Sequence, residues 1–112
     1  MRRVDEAVRE VLGEAVSHAL KDPRVGFVTV TEVRTSADLR HARVFVSVLG
    51  TAEERQATID GLTSAHGLLQ ARIGRELRMK RTPALTFELD ETAERAARLE
   101  GLIDSVTEDP RQ

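Results

Sequence analysis

The sequence contains no cysteine, no tryptophan and no tyrosine. Without thiols the chain has no disulfide, no cysteine nucleophile and no thiolate ligand for a structural zinc ion. Phe27, Phe45 and Phe87 are its only aromatic rings apart from histidine, too few for an extended platform on which bases could stack. All three stand in apolar, strand-like stretches, where core packing is the expected use of a phenyl ring. No apolar run approaches the roughly 18 residues of a transmembrane helix, and Met1-Arg2-Arg3 leads into charge rather than an apolar signal core. A cytoplasmic protein with no membrane partner is the expectation. Around His18, His41 and His66 there is no metal-ligand spacing such as HExxH, and no glycine-rich phosphate loop occurs. No catalytic residue, metal or cofactor is therefore assigned, and the chain is expected not to be an enzyme.

What is present suits one domain. The 112 residues, 40% hydrophobic and 32% charged, suffice for a core without metal or disulfide support. Val4, Ala7, Val8, Val11, Leu12, Ala15, Val16, Ala19 and Leu20 recur at helical steps, and Asp22-Pro23 ends that helix. Val25 to Arg34 and Ala42 to Leu49 are β-branched and alternating, so an antiparallel hairpin with a polar loop is predicted. Thr51 and Glu54 fit a capping box that opens a second helix. After Thr82-Pro83, the stretch ALTFEL alternates as a third strand. Asp90 can cap a last helix through Val106, with Ala93, Ala96, Ala97, Leu99, Leu102, Ile103 and Val106 as its apolar stripe. The prediction is an α+β domain over residues 1–106, three strands covered by helices on one face, with a short frayed tail over 107–112.

The second helix cannot run straight. From Ala52 to Lys80 its 29 residues would span about 43 Å at 1.5 Å per residue, against roughly 34 Å across a domain of this size. A straight helix would also carry His66 into the stripe of Ile59, Leu62, Leu69, Ile73 and Leu77, where an unpartnered imidazole costs about 1–3 kcal/mol. A kink at Ala65, His66 and Gly67 removes both problems, with glycine supplying the unusual backbone angles and His66 swinging outward.

Beyond the kink the charge is polarised. Arg72, Arg75, Arg78, Lys80 and Arg81 oppose only Glu76, giving +4 from Ala65 to Pro83; the other 12 basic and 18 acidic residues leave −6 elsewhere, within a net charge of −2. Arg72, Arg75 and Arg78 step by three and share one side of a helix. Such a face is a footprint for phosphates. The charges alone also allow a protein-interaction domain that docks this face on an acidic partner.

The motifs RRV, KDPRVG, SADL, ARVFVSV, AHG and LRMKRTPALTFELD, in that order, resemble the ribosome-binding factor A family. The resemblance implies a type II KH-like fold in which Ala65-His66-Gly67 forms the kink where ordinary KH domains hold a Gly-x-x-Gly loop. It further implies a monomeric assembly factor for the 30S subunit and its 16S rRNA. Such a factor assists late maturation, including processing of the 16S 5′ end, especially in the cold. The residues expected to contact rRNA are Arg72, Arg75, Arg78, Lys80 and Arg81. Arginine here outnumbers lysine, present only as Lys21 and Lys80, and arginine can fork onto phosphate and stack on bases.

Overall fold

The structure, a computed structural model, describes residues 2–18 and 25–92. The Asp22-Pro23 helix stop, most of the helix expected up to Val106 and the tail over 107–112 lie outside the described residues. In chain order the elements are α1 (Arg2–His18), β1 (Val28–Thr35), β2 (His41–Val48), α2 (Ala52–Ser64), α3 (His66–Leu77) and β3 (Ala84–Leu89). The strands lie in the order β1-β2-β3. β1 runs antiparallel to β2 and β3 parallel to it. A parallel pair needs a long crossover, and α2 with α3 supplies it. This α+β arrangement agrees with the KH-like architecture that the resemblance implied.

The helices bury one sheet face. Val8, Leu12, Ala15 and Val16 of α1 close over Val30 and Val33 of β1, Ala42, Val44, Val46 and Val48 of β2, and Leu85 and Phe87 of β3. Leu62, Leu69 and Ile73 complete this core from α2 and α3, each no more than 1% exposed. The alternation read in β1 is interrupted: the register shifts between Val30 and Glu32. That bulge at Thr31 resets the phase, so Val30 and Val33, three apart, both face the core. Thr31 Oγ1 donates to Asp90 Oδ2 at 2.6 Å and lies 3.2 Å from Phe45 O, tying the bulge to the end of β3.

Two of the three phenylalanines are not core residues. Phe87 is buried, but Phe27 is 82% exposed and faces Leu49, itself 75% exposed, across the sheet end. Phe45 lies on the open face between two charged rows, with the guanidiniums of Arg43 and Arg34 at 5.0 and 5.3 Å from its ring centre. The alternation of β2 decides this outcome. With Val44 and Val46 inward, Phe45 must face outward, and the two arginine planes cover its ring.

α2 begins at the Thr51 and Glu54 capping box: Glu54 N–H donates to Thr51 Oγ1 at 3.1 Å, and Thr51 N–H donates to Glu54 Oε1 at 3.0 Å. These bonds hold the Glu54 carboxyl below the usual carboxylate range, the backbone bond from Thr51 foremost. One turn on, Thr58 is buried, donates to Glu54 O at 3.0 Å and accepts from Gly26 N–H at 3.5 Å, which joins α2 to the approach to β1.

Candidate nucleic-acid interface

The long helix divides at Ala65, the one residue between α2 and α3, whose backbone leaves helical values (φ −89°, ψ 6°). Its N–H still donates to Gly61 O and Leu62 O, both at 3.1 Å, and its carbonyl accepts Leu69 N–H at 3.0 Å. Ala65 is thus bonded through its backbone to both helices. His66 opens α3 and is exposed, its Nδ1 2.8 Å from Thr63 O. Gly67 plays no part of the kind expected. It is an ordinary residue of α3, its φ is not positive, and a β-carbon placed on it would meet nothing within 4 Å. The change of direction is carried by Ala65.

The five cations do not form one uniform set. Arg72 is turned toward the body of the domain. Its side chain is 27% exposed and its Nε lies 2.5 Å from Glu76 Oε2. The bond that Arg72 donates to Glu76, helped by the charges of Glu76 and of Glu14 on α1, raises the guanidinium pKa above its ordinary value. Arg75, Arg78, Lys80 and Arg81 are exposed, and their side chains form no hydrogen bond or ion pair among the described residues. On the same exposed side of α3 lie Gly67, Leu68 and Ala71.

Where α3 ends, the chain folds back along it. Arg78 takes left-handed backbone angles (φ 53°, ψ 42°) as the helix cap. Met79 N–H donates to Gly74 O at 3.0 Å. Gln70 Nε2 donates to Pro83 O at 2.8 Å, and Pro83 is fully buried. A β-carbon on Gly74 would stand 2.9 Å from Thr82 Cγ2, so only glycine fits without displacing that methyl. The sequence alone assigned no role to Gly74, where no phase argument places the bend, or to Gln70. The signal for them was the neighbouring Thr82-Pro83 breaker, but nothing local says which helix residue a returning chain will touch. The return delivers the chain to β3 beside the β1–β2 turn, where Ala84 N–H donates to Arg40 O at 2.8 Å and exposed His41 stands opposite Ala84.

A bent helix pair with a cationic exit, packed with α1 on one face of a mixed three-stranded sheet, defines a small α+β domain, an arrangement consistent with a KH-like fold. The chain belongs to the ribosome-binding factor A family, whose sequence profile matches residues 1–103. It is similar to a crystal structure of ribosome-binding factor A from Thermus thermophilus, with TM-score 0.71 and 30% identity over 79% of this chain and 92% of that one. It is also similar to the solution structure of a Thermotoga maritima protein described as a candidate ribosome-binding factor A. There the TM-score is 0.71 and the identity 37%, over 78% of this chain and 83% of that one. A third match is a homology model of the Thermus thermophilus factor fitted into a cryo-electron microscopy map of a 30S complex. Its TM-score is 0.63 and its identity 32%, over 75% of this chain and 88% of that one. Among the described residues no helix is long and apolar enough to cross a membrane.

Proposed function

We propose that this chain binds the 30S ribosomal subunit by setting Arg75, Arg78, Lys80 and Arg81 against phosphates of 16S rRNA, with Arg72 at the border of the contact. In this reading it assists late 30S maturation, including processing of the 16S 5′ end, and does so most of all in the cold. It acts as a cytoplasmic monomer, through binding and without catalysis. The observation that carries the reading is the set of four exposed cations at one helix exit in a chain of net charge −2. Their side chains have no partner among the described residues. Family membership supplies the class of partner, and the 30S complex of the Thermus thermophilus relative supports the same subunit here.

The test is cosedimentation with 30S subunits across a salt series. Binding that neutralises several phosphates weakens steeply as salt rises. The triple variant R75E/R78E/R81E is expected to lose cosedimentation while keeping the wild-type circular dichroism spectrum. A folded triple variant that still cosediments with 30S removes this face from the interface. Wild-type protein that ignores 30S but binds an acidic protein surface replaces the reading with protein docking.

A further inference from the structure

A chain that leaves a helix and crosses to a strand needs only enough length, yet the segment from Arg78 to Pro83 is tied down at four points. The left-handed cap at Arg78 turns it back. The Met79 N–H bond to Gly74 O holds its start, and the Gln70 amide bond to Pro83 O holds its end. Between them the Thr82 methyl stands 2.9 Å from where a β-carbon on Gly74 would lie. Lys80 and Arg81 ride on this fastened segment, with Arg75 on the helix beneath and Arg78 at the cap.

We infer that Gly74 and Gln70 are positioning residues that hold Arg78, Lys80 and Arg81 as a fixed array, and that this array selects base-paired RNA over unpaired RNA. The inference rests on reading the cationic surface as an rRNA contact. A base-paired RNA presents phosphates at set spacings, so cations carried on a fastened backbone meet it with only their own side chains left to order. An unpaired strand must be ordered to match the same array, and loses affinity accordingly. Proteins that prefer unpaired RNA compensate by stacking its bases on side-chain rings. The phenyl rings are placed elsewhere: Phe87 is buried, Phe45 is covered by Arg34 and Arg43, and Phe27 is at the Leu49 end of the sheet, away from the Ala84 end. His66 stands at the far end of α3, about 18 Å away along its 12 residues. His41 is the ring beside the returning segment.

The experiment measures the affinity of the full chain for a labelled RNA hairpin and for an unpaired RNA of equal length and composition, at several salt concentrations. The wild type is expected to favour the hairpin by about tenfold or more. Gly74→Ala and Gln70→Ala should each weaken hairpin binding severalfold and leave the unpaired strand nearly unchanged. Thr82→Ser, which removes the methyl that the new β-carbon meets, should restore hairpin binding to Gly74→Ala. If Thr82 accommodates alanine by rotating, Gly74→Val is expected to show the loss in its place. Circular dichroism confirms folding of each variant, and a merely structural role for Gly74 would lower hairpin and strand binding together. Equal affinity for the two RNAs, equal losses on both, or an unpaired-strand preference that His41→Ala abolishes would each overturn the inference. The two readings fail separately. Retention of 30S binding by R75E/R78E/R81E removes the rRNA face itself, whereas its loss alongside unchanged hairpin preference in Gly74→Val and Gln70→Ala removes only the fixed array.

Discussion

Arg43 on β2 holds Glu88 on β3 with two guanidinium nitrogens, Nε at 2.7 Å and Nη2 at 3.0 Å, across the open face of the sheet. Arg43 also lies directly opposite Arg34 of β1, a like-charge pair that costs stability unless each charge is answered. Glu88 answers Arg43, and Glu32 answers Arg34 at 3.2 Å. Arg43 and Arg34 on the face opposite the helices are thus each answered, and among the described residues four exposed cations without an ion-pair partner gather at the exit of α3.

This pairing gives the protein an acid sensitivity of known sign. The bond from Arg43 holds the Glu88 carboxyl below its usual range, so its contribution is complete above the unfolded value and is lost as pH falls through the folded one. We expect the wild type to lose thermal stability faster than Glu88→Gln between about pH 5 and pH 3. Melting followed by circular dichroism at each pH checks this, and parallel curves for the two proteins would refute it.

The two glycines of α3 should respond in opposite directions. Gly67 has open space around its Cα, so Gly67→Ala is expected to stabilise the domain by up to about 1 kcal/mol, the helix preference of alanine over glycine. Gly74→Ala gains the same preference but meets the Thr82 methyl, and a net loss of stability is expected. Urea denaturation of both variants decides the matter; a destabilised Gly67→Ala would return Gly67 to the role that the sequence suggested.

Thr51→Ala removes one half of the capping box and should cost about 1 kcal/mol. The Glu54 half depends on its charge. Because its carboxyl is held low by the Thr51 bonds, protonation should weaken the cap as pH falls below about 4. In Glu54→Gln, which removes the ionisable half, the acid-dependent part of the unfolding curve should shrink, and an unchanged acid limb there would show that the box contributes nothing to it.

Ile73 is fully buried where α3 meets the sheet-side core. Ile73→Ala should cost about 2–5 kcal/mol through lost contacts and the cavity left behind. Since Ile73 faces inward and Arg75 outward, the remaining folded fraction should bind 30S with the wild-type salt slope. A changed slope at equal folded fraction would mean that the interface reaches into this core.

Arg72→Gln tests the division among the cations. With Arg72 bonded to Glu76 and near Glu14, its replacement should reduce 30S affinity less than Arg75→Gln does. Cosedimentation of the two single variants compares them directly, and an Arg72 effect equal to or larger than that of Arg75 would restore it to the centre of the surface.

Much of this was legible in the chain. The helical step from Val4 to Val16, the β-branched alternation of β2, the capping pair Thr51 and Glu54 and the breaker Thr82-Pro83 each act within a few residues, and each corresponds to an observed element or boundary. The break near Ala65 was legible for a different reason: length and phase are properties of one helix and need no partner. The Thr31 bulge escaped notice because it is defined by the register against β2, which strand composition does not record. Phe27 and Phe45 were misread because ring hydrophobicity says nothing about which sheet face a neighbour's alternation leaves over.

The sequence by itself determined the order of elements, the polarisation of charge toward the exit of α3 and the residues able to carry it, since these follow from local periodicity and counting. Only the tertiary structure decided which of those cations are free to act. It set Arg72 beside Glu76 and Glu14, left Arg75, Arg78, Lys80 and Arg81 exposed, and closed Thr82 onto Gly74 and Pro83 onto Gln70. Contacts between residues eight and thirteen positions apart depend on the path of the returning chain, and that path is fixed by β3 joining β2, an interaction that no local pattern specifies.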